Sequence, residues 1–142
     1  MEGDPMITAQ VGDELPELEI FADPTFVVST ALATRDFQDV HHDRDKAIER
    51  GSKDIFVNIL TDTGLVQRFV TDWAGPTAVF RSIGLRLGVP WYAYDTLTLR
   101  GKVSAVTDGE VTVEVTGSDS LGDHIVAKVK LASSELTGGK PA

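Results

Sequence analysis

Asn58-Ile59-Leu60-Thr61-Asp62-Thr63-Gly64-Leu65-Val66-Gln67-Arg68-Phe69-Val70-Thr71-Asp72-Trp73-Ala74, followed by Gly75-Pro76, is the stretch on which the fold turns. Ile59, Thr63, Val66, Val70 and Trp73 recur at steps of four and three, with Leu65 and Phe69 beside them, so the spacing predicts one amphipathic helix over 58–74. Asp62, Gln67, Arg68 and Asp72 fall on its other faces. Gly75 suits a left-handed cap, and Pro76 cannot continue the helix. Gly64 costs about 1 kcal/mol against alanine in a helix interior, which points to another backbone passing close by.

Downstream the period changes from 3.6 to 2. Leu97, Leu99, Gly101, Val103 and Ala105 alternate with polar residues up to the turn Asp108-Gly109; Val111, Val113 and Val115 alternate up to Gly122-Asp123; Ile125, Ala127, Val129 and Leu131 follow. Residues 79–87 read as a further strand stopped by Gly88-Val89-Pro90. Each strand has one apolar face, as in an antiparallel meander of four strands covered on one side. Upstream, residues 18–21 read as another strand and Asp23-Pro24 as a helix start. In 25–34, Val27-Val28 and the threonines favour a strand, while the cap and the length favour a short helix, which is the expectation. Residues 43–50 form a second short helix closed by Gly51. The stretch up to Leu15 reads as a loose lead-in, and the tail from Thr137 as frayed. A sheet curled around one long apolar helix buries both, which gives an α+β, hot-dog arrangement in a single domain over 1–142 with its ordered core at about 16–134.

The chain has 142 residues and a formal net charge of −9, and contains no cysteine. A chain of this length buries roughly 68–70% of its unfolded surface, enough for a core without staples. The absence of cysteine excludes disulfides, thiolate metal sites and a cysteine nucleophile. The acidic balance argues against nucleic acid or an anionic membrane as partner, since both need clustered Lys and Arg. The acidic opening Met1-Glu2-Gly3-Asp4-Pro5 has no apolar run behind it, so no secretory signal is expected, and a cytoplasmic location is.

The chemistry concentrates in Arg35-Asp36-Phe37-Gln38-Asp39-Val40-His41-His42-Asp43-Arg44-Asp45-Lys46-Ala47. Asp36 and His41 lie five apart in a turn-like stretch that can aim both side chains at one small volume. A histidine beside a carboxylate is an acid/base arrangement, because imidazole titrates near neutral pH. Taken alone, the pair reads equally as capping or surface polarity.

This segment resembles the motif of the MaoC-like and (R)-specific enoyl-CoA hydratase family, Gly-Asp-x-Asn-Pro-aliphatic-His, then five residues, then Ala or Ser. Asp36, Val40, His41 and Ala47 match at the right spacing. Arg35 stands for glycine, Gln38 for asparagine and Asp39 for proline. Residues 61–76 resemble the family's central helix. Asp95-Thr96-Leu97-Thr98-Leu99-Arg100-Gly101-Lys102-Val103 resembles its Gly-Asp-x-Leu strand opening, with Tyr94 in place of glycine. The likeness covers 18–133. Asp36-Phe37-Gln38-Asp39-Val40-His41-His42-Asp43 and Val89-Pro90-Trp91-Tyr92-Ala93-Tyr94-Asp95 are similar to the small subunits of heteromeric actinobacterial hydratases acting on steroid side-chain enoyl-CoA esters.

The resemblance implies a hydratase in which Asp36 and His41 are the acid/base pair acting on one water. It also implies an oxyanion donor at the backbone N–H of Asn58, a residue that reads equally as the helix cap, and a substrate contact at Gln38. It implies an acyl-CoA substrate, no cofactor beyond the CoA carried by that substrate, and a second hot-dog subunit in a hetero-oligomer, with a homodimer as the simpler form. Two rivals remain. A hot-dog thioesterase needs a carboxylate on the central helix, for which Asp62 and Asp72 are the candidates; a non-catalytic subunit of an acyl-CoA-processing complex would not need Asp36 and His41. No metal is expected at His42 and Asp43, and His124 reads as hairpin surface. Trp91, Tyr92 and Tyr94 read as a pocket lining or a loop anchor. Arg81, Arg86, Arg100 and Lys102 read as contacts to CoA phosphates or as solvated strand faces.

Overall fold

The computed structural model describes residues 8–133. The element order is β1 (Glu14–Ala22), α1 (Pro24–Ala33), a 3₁₀ turn (Asp39–His41), α2 (Arg44–Glu49), α3 (Ile59–Ala74), β2 (Phe80–Leu87), β3 (Asp95–Thr107), β4 (Glu110–Asp119) and β5 (Gly122–Ala132). The five strands form one sheet in the order β1-β3-β4-β5-β2, antiparallel throughout. The sheet packs against α3, and Val66, Phe69, Val70 and Ala74 share one core with Leu97, Leu99, Val103, Val113, Ile125 and Val129. This is the expected hot-dog arrangement. Among the described residues, no helix is long and apolar enough to cross a membrane.

Two expectations about the sheet are corrected. The strand after α3 does not join the meander; only β3, β4 and β5 follow one another, while β2 pairs with β5 at the far edge. The intervening segment 88–94 is too long for a hairpin turn, and it carries the chain across to place β3 between β1 and β4. The lead-in is also packed: Gly12 N–H donates to the Val103 carbonyl at 2.9 Å, Val103 N–H donates to Asp13 at 2.8 Å, and Ala9 and Leu15 are buried. The tail expected from Thr137 lies outside the described residues.

The helices form where their caps are. The Asp23 carboxylate accepts the Phe26 N–H at 2.8 Å, and α1 buries Val27 and Ala31, one turn apart. The Asp43 side chain accepts the Lys46 N–H at the start of α2. Helix α3 ends at Gly75, whose φ of 98° favours glycine.

The buried stripe of α3 is rotated from the expected one. Asp62, Val66, Phe69 and Val70 face the core, whereas Ile59 is 47% exposed. Gly64 faces open space, so no backbone approaches it. The close approach is on the sheet side instead: a Cβ at Gly101 of β3 would lie 2.9 Å from the Phe69 ring and 3.3 Å from Leu15. A glycine at this strand position lets the aromatic ring of α3 rest directly on the sheet.

Candidate active site

Helix α1 sets the position of Asp36. Its last turn closes with Arg35 N–H donating to the Leu32 carbonyl at 3.0 Å and Asp36 N–H donating to the Ala31 carbonyl at 2.9 Å. This paired closure requires a left-handed residue at position 35, and Arg35 has a φ of 62°. Asp36 is therefore held by the closure of a rigid helix end, three residues past Ala33. Among the described residues, Tyr94, with a φ of 74°, is the other non-glycine residue in this region of φ. Both positions are those at which the sequence motifs call for glycine.

The 3₁₀ turn brings His41 back to Asp36. Its Nε2 lies 3.5 Å from Asp36 Oδ2, with His41 buried and Asp36 half-buried. His41 Nδ1 donates to the Phe56 carbonyl at 2.7 Å, and the two rings meet edge-on at 4.9 Å. Because a carbonyl only accepts, Nδ1 carries the hydrogen, which leaves Nε2 as the ring nitrogen that faces Asp36. Asp39 is gripped by Arg50 through contacts of 2.8 and 3.1 Å, which lower its pKa. This clamp stands where the motif has the rigidity of proline.

Asn58 occupies the N-cap of α3 by its backbone, yet its side chain makes no capping bond. Instead its Nδ2 donates to Asp36 Oδ2 at 3.2 Å and to Thr34 Oγ1 at 2.9 Å, while Thr61 Oγ1 donates to its Oδ1 at 2.5 Å. The side chain thus orients Asp36, and the Asn58 N–H has no hydrogen-bond partner among the described residues. Gln38 is exposed, and its N–H donates to Asp36 Oδ1 at 3.3 Å. All four expected residues, Asp36, Gln38, His41 and Asn58, line one cavity of about 390 Å³, together with Phe56, Ile59, residues 87–90 and His124.

His124 corrects the sequence reading: it is 2% exposed, not hairpin surface. Strand parity alone places it opposite Ile125, Ala127 and Val129. The register breaks here, however: Gly117 pairs with Ile125 and Ser118 with Asp123, so His124 is the extra residue of a bulge and turns inward. Its Nε2 lies 2.9 Å from Oδ2 of Asp62, which has no exposed surface, and its Nδ1 donates to the Val89 carbonyl at 2.6 Å. Burial pushes the Asp62 carboxyl above its ordinary pKa, against the opposing pull of His124. Burial draws the His124 pKa down, but the Asp62 hydrogen bond and charge outweigh it, and the net shift is upward. One proton shared between Oδ2 and Nε2 accounts for both directions and leaves the pair net neutral.

Thr34, Thr61 and the Phe56 carbonyl also escaped the sequence reading. Asp62 carried a usable signal, since it lies one turn before Val66 and two before Phe69 on the same helix. Trp91 is fully buried, donates to the Asp95 carbonyl at 3.0 Å and packs on Phe26 and His124, so it is a loop anchor. Tyr92 packs on Phe56, and Tyr94 is 67% exposed. Arg81 and Arg100 pair with Glu110 and Glu17 on the strand faces, and neither they, Arg86 nor Lys102 lines this cavity. Among the described residues, no group of three or more His, Asp or Glu is placed to hold a metal ion.

A central helix packed in a five-stranded antiparallel sheet, with an Asp–His pair delivered by the loops before that helix, defines a MaoC-like hot-dog domain. The (R)-hydratase from A. caviae involved in PHA biosynthesis shares this fold with a TM-score of 0.81 at 16% identity, over 88% of this chain and 97% of that one. No protein-family profile matches the chain. It is 73% identical over 122 residues to the 3-oxo-4,17-pregnadiene-20-carboxyl-CoA hydratase beta subunit of Mycobacterium tuberculosis, spanning 86% of this chain and 95% of that protein, and it belongs to the family of that subunit. A chain in the crystal structure of the ChsH1-ChsH2 complex from the same organism superposes with a TM-score of 0.86 at 71% identity, over 89% of this chain and 98% of that one.

Proposed function

We propose that this chain is the subunit carrying the acid/base pair of a hydratase that adds water across the 2,3 double bond of a steroid side-chain enoyl-CoA. The observation that carries the reading is the Asp36–His41 pair, at 3.5 Å and with His41 Nε2 turned inward by the Phe56 carbonyl. Two acceptors at that spacing can share one water, each taking one of its hydrogens. The water oxygen bonds to the β-carbon as one of its protons passes to the pair and the π electrons move to the α-carbon and thioester oxygen. The pair then returns that proton to the α-carbon, which completes the addition and restores the pair. The Asn58 N–H, at the amino end of α3, stabilises the charge that develops on the thioester oxygen. Gln38 sits at the mouth as a substrate contact. No cofactor enters this scheme, because the thioester itself activates the double bond.

The name of the 73%-identical relative supports the steroid acyl group, and the ChsH1-ChsH2 complex supports a second subunit. The cavity supports both: it is open, and at about 390 Å³ it lies near the lower end of the ~300–1,000 Å³ of ligand pockets, with Ile59 and Leu87 of its lining 47% and 38% exposed. A second hot-dog chain over these side chains would enlarge and close it. The thioesterase alternative is disfavoured by Asp62, whose carboxylate is sealed against His124. The proposed setting is cytoplasmic. The test is a competition between a steroid side-chain enoyl-CoA and crotonyl-CoA, run on the chain with its partner subunit. The steroid ester should win in kcat/KM by a large factor; preference for the short ester would remove the steroid assignment and leave hydration standing.

A further inference from the structure

Asp62 and His124 have no part in the water-adding step, yet the fold goes to unusual lengths to place them. The bulge in β5 exists at His124, where it turns an outward strand position into the cavity wall. Both ring nitrogens are then used. Nδ1 holds the Val89 carbonyl and Nε2 holds Asp62, so His124 has no free nitrogen with which to act as a base. Asp62 belongs to the first turn of α3, and its N–H donates to the Asn58 carbonyl at 3.2 Å. Val89 belongs to the opposite wall of the cavity, and that wall crosses the bulge tightly. Gly88 N–H donates to the His124 carbonyl at 2.9 Å, Val89 N–H donates to Asp123 at 3.0 Å, and a Cβ at Gly88 would run into the Asp123 carbonyl.

We propose that Asp62 and His124 are positioning residues for the hydration reaction: they clamp the first turn of α3, which presents the Asn58 N–H, to the 87–90 wall of the same cavity, and so fix that donor relative to Asp36 and His41. The inference rests on the hydratase reading and goes beyond it. An oxyanion donor is effective only when held in place before the charge develops, and a displacement of about 1 Å at a reacting centre costs up to ~10²-fold in rate. A neutral apolar pair would fill the space, but it would make neither bond. The pair also has a second requirement, its single proton. Without it, an uncompensated carboxylate would lie one helical turn from the donor and oppose the developing negative charge. The other titratable groups acting on the pair are His41, towards Asp62, and Asp119 of β4, towards His124.

Three substitutions in the full chain, assayed with its partner subunit, separate positioning from bulk structure. Asp62→Leu removes the clamp at constant size. His124→Asn keeps a donor near the Val89 carbonyl but loses Asp62. Asp62→Asn keeps the link, with its amide donating to Nε2, and abolishes the charge. Asp62→Leu and His124→Asn should each lower kcat about tenfold or more with KM within about threefold, the pattern of an interaction made in the transition state. Asp62→Asn should stay within about threefold of wild type and lose the part of the alkaline fall in kcat that belongs to the pair. If Asp62→Leu does not fold by circular dichroism, the other two variants decide. Wild-type kcat in His124→Asn, an effect confined to KM, or an unchanged alkaline limb in Asp62→Asn would overturn the inference while His41→Ala remained inactive. A wild-type complex without hydration would instead remove the hydratase reading, and this inference with it.

Discussion

Arg35 occupies a left-handed conformation that costs an ordinary residue about 1–2 kcal/mol, because Asp36 can follow α1 directly only through that closure. The strain is local, and the Arg35 side chain is exposed. Arg35→Gly should therefore raise stability by about 1 kcal/mol in chemical denaturation, less what glycine adds to the freedom of the unfolded chain, and leave hydration unchanged. A loss of stability would mean that the arginine side chain contributes more than its backbone costs. The motif residues were legible at this scale because Asp36 and His41 keep their spacing. The partners that orient them were not. Asn58 lies 22 residues from Asp36 and 24 from Thr34, and the Phe56 carbonyl lies 15 from His41. Contacts set by the folded path of the chain leave no periodic trace.

The helix and the sheet meet through a glycine, though a different one from the glycine the helix pattern singled out. Gly64 has open space around its missing side chain, so Gly64→Ala should stabilise the protein by up to about 1 kcal/mol through helix propensity. Gly101→Ala should do the opposite, costing about 1–3 kcal/mol, because the added methyl meets the buried Phe69 ring. Paired urea melts of the two variants check both signs. The strands were readable from their alternation, but β2 was misplaced because alternation reports a face and never a neighbour. His124 was missed because parity is counted along an unbroken ladder, and the bulge breaks it by one residue. The Asp62–His124 pair also gives stability a pH dependence. His124 titrates above its ordinary 6.5 in the folded chain, so its contribution is complete below 6.5 and is lost as pH rises through the raised value. Asp62, raised above 3.8, acts with the same sign at lower pH. The wild-type denaturation midpoint should thus fall as pH climbs past 6.5. Asp62→Asn leaves burial as the main influence on His124, and the slope should flatten or reverse. A slope unaltered by that substitution would assign the dependence to other groups.

At the scale of the whole molecule, one chain brings Asp36, His41 and Asn58 together around about 390 Å³ of open cavity. It leaves Ile59, Leu87 and the nearby Leu60 half-exposed. The formal charge of −9 argues against nucleic acid as a partner on electrostatic grounds. The hot-dog fold was legible from one helical period followed by alternating strands, and a second subunit from the family resemblance; which apolar side chains that subunit would cover was not, because only the folded surface reveals which of them stay exposed. The most direct test is hydration by the complex of this chain with its partner, measured for wild type, Asp36→Ala and His41→Ala with secondary structure checked by circular dichroism. The wild-type complex should convert the enoyl-CoA to its 3-hydroxy product, and each variant should retain the fold but lose at least about 10²-fold in kcat. Near-wild-type turnover in both folded variants would contradict the assignment of the chemistry to this pair.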